Sequence, residues 1–304
     1  MNDPLPSTKP VLTIAVVGVG AIGSTFAYHL ARAGHDVTAI ARPDSPRLRP
    51  LRRDEAIVLR SGEKAGVRVA DRLDEAVAHD LVLVTMLAHQ LDAVLPALGR
   101  SQAAAVQFMF NNFEPERLSE AMGEGRCSFG MPFVMATLDS DGRLETRANP
   151  GQKTLHGDAR WAQLFTAAGI ASAFEPKMPL WLRCHAPMCI AMESICVAGQ
   201  RRGGGATWRA AVTVARGLRS GFAIIQGLGY ALYPSSKSTL ASCPAPVLAG
   251  MLWLVSRVPS FRRLLSQGLL ECRALADAIA SAAKAAEPPM VDLAERVLAM
   301  KPGA

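Results

Sequence analysis

Val11-Leu12-Thr13-Ile14-Ala15-Val16-Val17 runs directly into Gly18-Val19-Gly20-Ala21-Ile22-Gly23. A seven-residue apolar strand, a G-x-G-x-x-G turn and then a helical run from Ser24 to Ala33 form the order that holds a dinucleotide. Gly18 permits the tight turn, and Gly20 lets the backbone approach a pyrophosphate. Gly23 lets the helix pack close on the strand. The N-terminal N–H groups of that helix have no intrahelical acceptor and face the phosphates. The competing reading of the same residues is an ordinary glycine-rich strand-to-helix turn.

Working outward, Asp36-Val37-Thr38-Ala39-Ile40 reads as the second strand, and its tip carries Ala41-Arg42. An NAD site places a carboxylate near this point, about 20 residues past the glycines. Here none occurs before Asp44, whereas Arg42, with Arg47 or Arg49 in support, suits a 2′-phosphate through charge-assisted bidentate bonds. NADP is therefore the expected cofactor in preference to NAD. Asp80 to Met86 is a uniformly apolar third parallel strand, ending at Thr85 and Met86. A helix is expected over 89–98 and a strand over 104–110, after which Asn111-Asn112 stands where ligands bind at strand carboxyl ends. Further strands are expected over 129–136 and 153–156, with a turn at Asp139-Ser140-Asp141-Gly142.

Alternation of strands and helices ends near Phe174. Beyond Pro179 the periodicity is helical, over 180–197, 208–228, 247–255, 261–286 and 292–300. Gly203-Gly204-Gly205 and Tyr233-Pro234-Ser235-Ser236 read as loops, and Pro187 is expected to bend its helix. The predicted fold class is α/β, an N-terminal Rossmann-type doubly wound parallel sheet followed by an all-α C-terminal domain. The expected boundaries are a flexible leader at 1–10, a dinucleotide-binding domain at 11–176 and a helical substrate and dimerisation domain at 177–304.

The 304 residues are half hydrophobic and 19% charged, which indicates a well-buried globular protein and excludes disorder. No apolar run reaches the roughly 18–20 residues of a membrane span. Cys127, Cys184, Cys189, Cys196, Cys243 and Cys272 include no C-x-x-C pair, so free thiols in a reducing cytoplasm are expected. Met188, Met192 and Cys189 read as core filling, and no metal site is expected. The net charge of +7 is uneven: between Glu193 and Glu271 there is no acidic residue, while arginines and Lys237 recur. That segment reads as a basic solvated surface or as a cleft for small anions. Nucleic-acid binding is not expected, because few aromatics are interleaved and no recognition motif is present. Peripheral membrane association through Val247 to Leu265 is a lesser reading, interrupted by Pro259.

With these landmarks placed, the chain resembles the ketopantoate reductase family over nearly its full length. The resemblance is carried by Gly18 to Gly23, Ala33-Gly34-His35-Asp36-Val37-Thr38, Arg42, Leu81 to Thr85, Ala88-His89-Gln90, Asn111 and Leu180-Trp181-Leu182-Arg183. It implies reduction of a 2-oxo acid to a 2-hydroxy acid with NADPH, by a lysine just after the family's tryptophan. It implies asparagines that orient substrate and cofactor, and a later glutamate that binds substrate hydroxyls. Asn111 matches one asparagine, and Arg42 matches the 2′-phosphate arginine. Gly18, Gly20, Ala21, Ile22, Gly23, Thr85 and Gln90 fall at cofactor-binding positions, and Glu271 is the nearest match to the glutamate. The lysine position is Arg183, two further asparagine positions are Pro187 and Ala191, and Leu87 replaces a second lysine.

These departures bear on mechanism. A guanidinium with a pKa above about 12 holds its proton too firmly to serve as a general acid. Arg183 is therefore expected to grip or polarise an anionic substrate, with Asn111 orienting it and His185 or water giving the proton. Two residues apart on a helix, Arg183 and His185 lie about 200° around the axis from each other. The leading expectation is an NADP-dependent oxidoreductase acting on a small anionic carbonyl or hydroxyl compound other than ketopantoate, in the cytoplasm, as a homodimer. The alternative is an NADP(H)-binding or sensing protein that has lost the family's chemistry.

Overall fold

The computed structural model describes residues 10–123, 125–148, 151–265 and 268–302. The expected leader lies outside these residues except for Pro10. The chain divides into two compact units: a sheet unit that ends at Pro176, and a helical unit from Lys177 that also takes in 87–89 and 111–117. Those two segments follow the ends of sheet strands in sequence.

In the sheet unit the order is β1 (Thr13–Val17), α1 (Ala21–Arg32), β2 (Asp36–Ile40), α2 (Leu48–Asp54), β3 (Ala56–Val58), β4 (Lys64–Gly66), β5 (Arg68–Ala70) and β6 (Leu81–Val84). A 3-10 helix (Ala88–Ala93) follows, then α3 (Leu95–Arg100), β7 (Val106–Met109), α4 (Pro115–Met122), β8 (Cys127–Met131), β9 (Val134–Leu138), β10 (Leu144–Ala148), β11 (Thr154–His156), α5 (Ala159–Ala167) and β12 (Ser172–Phe174). The main sheet has eight strands in the order β12-β11-β8-β7-β6-β1-β2-β5. All its pairings are parallel except β11 with β8. β1 pairs with β2 on one side and β6 on the other, so the chain reverses its winding at β1 and β6, where ligands bind in such sheets. The Asp80 carboxylate fixes the start of both strands, accepting from the Thr13 N–H at 2.8 Å and the Thr13 hydroxyl at 2.9 Å.

β1 and β6 read as continuous apolar runs because both faces are covered, and Ile14, Val16, Leu81 and Leu83 are fully buried. Phe26 of α1 meets Phe165 of α5 edge to face at 5.0 Å in the same core. The strand expected over 129–136 is two strands in different sheets, since Pro132 cannot donate to a ladder and the chain leaves the main sheet there. β9 and β10 form a hairpin closed by the Asp139 turn, where Asp139 Oδ1 accepts from the Asp141 and Arg143 N–H groups. The helix expected over 89–98 is a 3-10 turn and a separate α3, whose second residue is Pro96 and lacks the N–H that continuity would need. The short elements α2 and β3 to β5 lack a clear period in sequence and were not expected.

The helical unit contains α6 (Met178–Arg201), α7 (Trp208–Gly227), α8 (Ser235–Ser242), α9 (Ala245–Val255), α10 (Pro259–Leu264), α11 (Leu269–Ala285) and α12 (Val291–Ala299). Its core includes Ile190, Ile195, Phe222, Ile225, Leu275 and Ile279. α6 runs through Pro187 as one helix. The ring is accommodated by Gly221 of α7, where an added Cβ would lie 2.8 Å from Pro187 Cβ. The expected helix over 261–286 is divided into α10 and α11, and the loop expected at 233–236 ends where α8 begins at Ser235. No single helix among the described residues is long and apolar enough to cross a membrane.

Candidate functional site

Gly18 has φ +94, and an added Cβ there would lie 2.9 Å from Met86 Cβ and N. A Cβ at Gly23 would collide with the Gly18 carbonyl oxygen and the Thr85 hydroxyl, so both positions require glycine for packing. Gly20 differs, because nothing stands within 4 Å of its Cβ position. Gly20 is the N-cap of α1, makes no side-chain cap bond, and accepts from the Ser24 N–H at 2.9 Å. The N–H groups of Ala21, Ile22 and Gly23 precede the first intrahelical bond, so this helix start is a cradle of donors with open space before it. These residues fit the phosphates of a dinucleotide. Thr85, expected to touch the cofactor, spends its hydroxyl on the Gly18 carbonyl at 2.7 Å and thereby holds the turn. Gln90 lies half-buried in the 3-10 helix.

Arg42 is exposed just beyond β2, and its Nε pairs with Asp44 Oδ1 at 3.1 Å. Arg47, expected as a helper at the 2′-phosphate, is committed elsewhere. Its Nε donates to the Val19 carbonyl at 3.1 Å, Nη1 to the Gly142 carbonyl at 2.8 Å and Nη2 to the Ser24 hydroxyl at 3.3 Å. It clamps the outside of the glycine turn to the β9–β10 hairpin.

Within the helical unit, Asn111 and Glu271 meet: the Asn111 backbone N–H and Nδ2 both donate to Glu271 Oε1 at 3.3 Å. The Cys189 thiol donates to Asn111 Oδ1 at 3.4 Å. Burial raises the Glu271 pKa, opposed by the two bonds from Asn111. Glu193, one turn beyond Cys189 on α6, accepts from the Cys272 thiol at 2.8 Å. Burial, with help from the nearby Glu271 charge, pushes its carboxyl up to about 7.

Arg183 and His185 are not brought to one point. Arg183 is buried; its Nη1 donates to Glu116 Oε1 at 3.0 Å, Nη2 bonds Glu116 Oε2, and Nε donates to the Phe113 carbonyl at 3.1 Å. Its guanidinium also lies 3.9 Å from the Tyr230 ring centroid. The expectation that it grips a substrate anion is corrected here, because its bidentate face is already occupied by the Glu116 carboxylate. His185 stacks on Trp181 with centroids 4.3 Å apart. Burial and the adjacent Lys237 charge push its pKa down to about 3, so it is neutral at pH 7 and holds no imidazolium proton to give.

Sequence reading passed over Lys237. Only 6% of it is exposed; its Nζ donates to Met188 Sδ at 3.3 Å, lies 3.5 Å from His185 Nδ1 and stands 5.9 Å from the Trp181 ring centroid. Burial lowers its pKa, opposed by the thiols of Cys189 and Cys184. Two signals were available in the sequence: Lys237 is the only lysine in the acid-free segment, and His185, Cys189 and Glu193 recur every four residues on one face of α6. The six cysteines are free. Among the described residues, no group of three or more His, Cys, Asp and Glu is placed to hold a metal ion. Two arginines of the acid-free segment, Arg216 and Arg219, line a surface cavity of about 350 Å³ with Arg296.

Residues 14–159 match the family model described as ketopantoate reductase PanE/ApbA. A 2-dehydropantoate 2-reductase from Vibrio cholerae serotype O1 is 30% identical over 154 residues, which are 49% of this chain and 46% of that protein. The chain thus spans about half the length of the curated relative it matches. Among solved structures, a D-mandelate dehydrogenase in complex with NADH aligns with a TM-score of 0.70 at 15% identity, covering 95% of this chain and 97% of the other. A yersinopine dehydrogenase bound to NADP+ aligns with a TM-score of 0.72 at 12% identity, covering 95% and 90%. At these identities the structural likeness carries the fold: a Rossmann-type sheet followed by helices. Over residues 14–159, about half of its length, the chain is similar to the ketopantoate reductase PanE/ApbA family.

Proposed function

We propose that the protein is an NADP-dependent oxidoreductase acting at a carbonyl or hydroxyl carbon of a small anionic, 2-oxo-acid-like substrate other than ketopantoate. The observation that carries this reading is the open donor cradle at Gly20, built by two glycines that packing demands and one that it does not. The backbone N–H groups of Ala21, Ile22 and Gly23 would hold the pyrophosphate, with Gly18, Gly20 and Thr85 shaping the turn. Gln90 lies along the chain beyond β6, and Arg42 would exchange Asp44 for a 2′-phosphate. A bound nicotinamide would supply the hydride. Asn111 would orient the substrate through the carboxamide that now bonds Glu271, and Glu271 would accept from a substrate hydroxyl. Arg183 would act by positioning, as its pairing with Glu116 fixes α6 against the 111–117 segment within the helical unit.

The NADP+ of the yersinopine dehydrogenase and the NADH of the D-mandelate dehydrogenase leave both dinucleotides within reach of such a fold. The choice of NADP rests on Arg42. Titration of NADPH and NADH, followed by turnover across a panel of 2-oxo acids, tests the reading. Gly20→Val should keep the fold, since its Cβ meets open space, and should lose the dinucleotide. Undiminished NADPH binding by Gly20→Val overturns the site. Tight NADPH binding without turnover of any panel member favours the sensing alternative.

A further inference from the structure

Lys237 is a buried amine with no carboxylate partner among the described residues. Its neighbours are a thioether at 3.3 Å and an imidazole that is neutral at pH 7, and neither offsets an ammonium charge. An ammonium has three N–H donors, and these two partners are weak acceptors, so donor capacity is left unspent. Burying an unpaired charge is costly, and residues kept at such a cost cluster where chemistry needs them. Position adds to this. Met188 and His185 belong to the α6 turn just before Cys189, which bonds Asn111, which in turn bonds Glu271. Lys237 also interacts electrostatically with Cys189 itself, the thiol that bonds the carboxamide of that pair.

We propose that Lys237 is the catalytic proton donor of this enzyme, its Nζ binding the substrate's carbonyl oxygen and protonating it on reduction. The proposal rests on the oxidoreductase reading. As hydride from a reduced nicotinamide adds at the carbonyl carbon, the C=O π pair moves onto oxygen. An O–H bond then forms with a proton from the Lys237 ammonium, and the neutral amine left behind regains a proton from solvent. A lysine suits this role where Arg183 does not, because desolvation brings an ammonium toward the working pH while a guanidinium stays fully protonated. The titratable groups facing it are His185, Cys184 and Cys189, all on α6. The first stays neutral at pH 7, and burial raises both thiols, so the amine titrates without a coupled carboxylate.

The test uses the full chain labelled with 13Cε-lysine, with the Lys237 signal assigned by its absence in Lys237→Arg. That signal should titrate below those of the exposed lysines and should move on addition of oxamate, with or without NADP+. Lys237→Met should bind NADPH as the wild type does and lose at least 100-fold in kcat. It should also melt at a higher temperature, as expected when a buried charge kept for chemistry is replaced by an apolar chain. A Lys237 signal that ignores oxamate overturns the proposal, as does a Lys237→Met protein with kcat within twofold of wild type. If the wild type reduces no 2-oxo acid, the oxidoreductase reading fails, and the oxamate response still decides whether Lys237 is a ligand for the oxygen.

Discussion

Around the glycine turn the backbone supplies the recognition, and charged side chains are paired off. Arg47 is spent on carbonyls, and Arg52, Arg60, Arg68, Arg100 and Arg160 each meet a carboxylate. In the helical unit the reverse holds. Lys237 and His185 are buried, and Glu193 and Glu271 half-buried, with thiols, a thioether, a carboxamide or a ring as neighbours, and their ionisation is displaced as a result. The difference teaches where each kind of function resides. A dinucleotide cradle is a property of chain geometry and survives changes in most side chains, whereas acid–base chemistry depends on a few side chains held out of water. The first is robust and the second is easily rewritten, in keeping with Arg183, Pro187 and Ala191 at positions where the family resemblance implies a lysine and two asparagines.

The largest effect should come from breaking the geometric half. In Gly23→Ala the new methyl collides with the Gly18 carbonyl and the Thr85 hydroxyl, and backbone cannot yield as a long side chain would. We expect a loss of about 1–3 kcal/mol of stability from overpacking and at least 100-fold weaker NADPH binding. Denaturant melts and calorimetric titration measure the two. Unchanged NADPH affinity would show that the cradle is not where the dinucleotide sits.

Next in size is the Arg183–Glu116 pair, in which a buried cation of the helical unit has its counterion. Arg183 is 6% exposed in its side chain and Glu116 51%, so only one side of the pair is desolvated. Glu116→Ala should cost about 2 kcal/mol, less than a fully buried pair because water can reach the gap. Adding Arg183→Met should recover part of that cost, since the stranded charge is removed. A double-mutant cycle in urea checks this, and an additive cycle would mean that the pair is not coupled.

The contrast in buried ionisation gives the two units different pH responses. His156 in the sheet unit and His185 in the helical unit are both pushed down to about 3, mainly by burial. A histidine depressed in the folded state contributes stability that is complete above its unfolded pKa of about 6.5 and is lost as pH falls toward the folded value. Glu193, raised to about 7, works in the other direction. Its contribution is complete below an unfolded pKa of about 4.3 and is lost as pH rises through 7. Each group sets a limiting slope of about 1.4 kcal/mol per pH unit. Hydrogen exchange resolved along the chain should show the sheet unit weakening toward acid, and the helical unit weakening toward acid and also above pH 5. Glu193→Gln should flatten the second limb, and a limb that persists in this variant would assign it to another group.

How much of this could be read beforehand follows the same division. The strand, turn and helix at Thr13 to Arg32 were legible because glycine spacing and an unbroken apolar run are local signals. The split of β8 from β9 was signalled by Pro132 and missed because the apolar character continues across it. Asn111 was found from its place at a strand end, and the structure adds its bonds to Glu271. The occupation of Arg183 by Glu116 was not legible, because the partner lies 67 positions away and nothing local marks it. Lys237 was hidden in the same manner. In sequence it counts as one more positive charge, and only burial beside His185 and Met188 distinguishes it.

The smallest expected effect tests the side chain on which the choice between NADP and NAD rests. Arg42 is 62% exposed and Asp44 76%, so their ion pair contributes little to stability, and Arg42→Ala should leave the melting temperature within error. If Arg42 faces a 2′-phosphate, the same change removes a charge-assisted contact made in water, worth about 1.4 kcal/mol or tenfold in NADPH affinity. NADH affinity should not move, because NADH has no phosphate at that position. Asp44→Ala should act in the opposite direction, freeing the guanidinium and removing a carboxylate that repels the phosphate, so that NADPH tightens by a few-fold. Equal weakening of both dinucleotides in Arg42→Ala would place Arg42 outside the ribose site. NADP preference would then have to arise from backbone geometry, which would extend the backbone's role from holding the pyrophosphate to choosing the ribose.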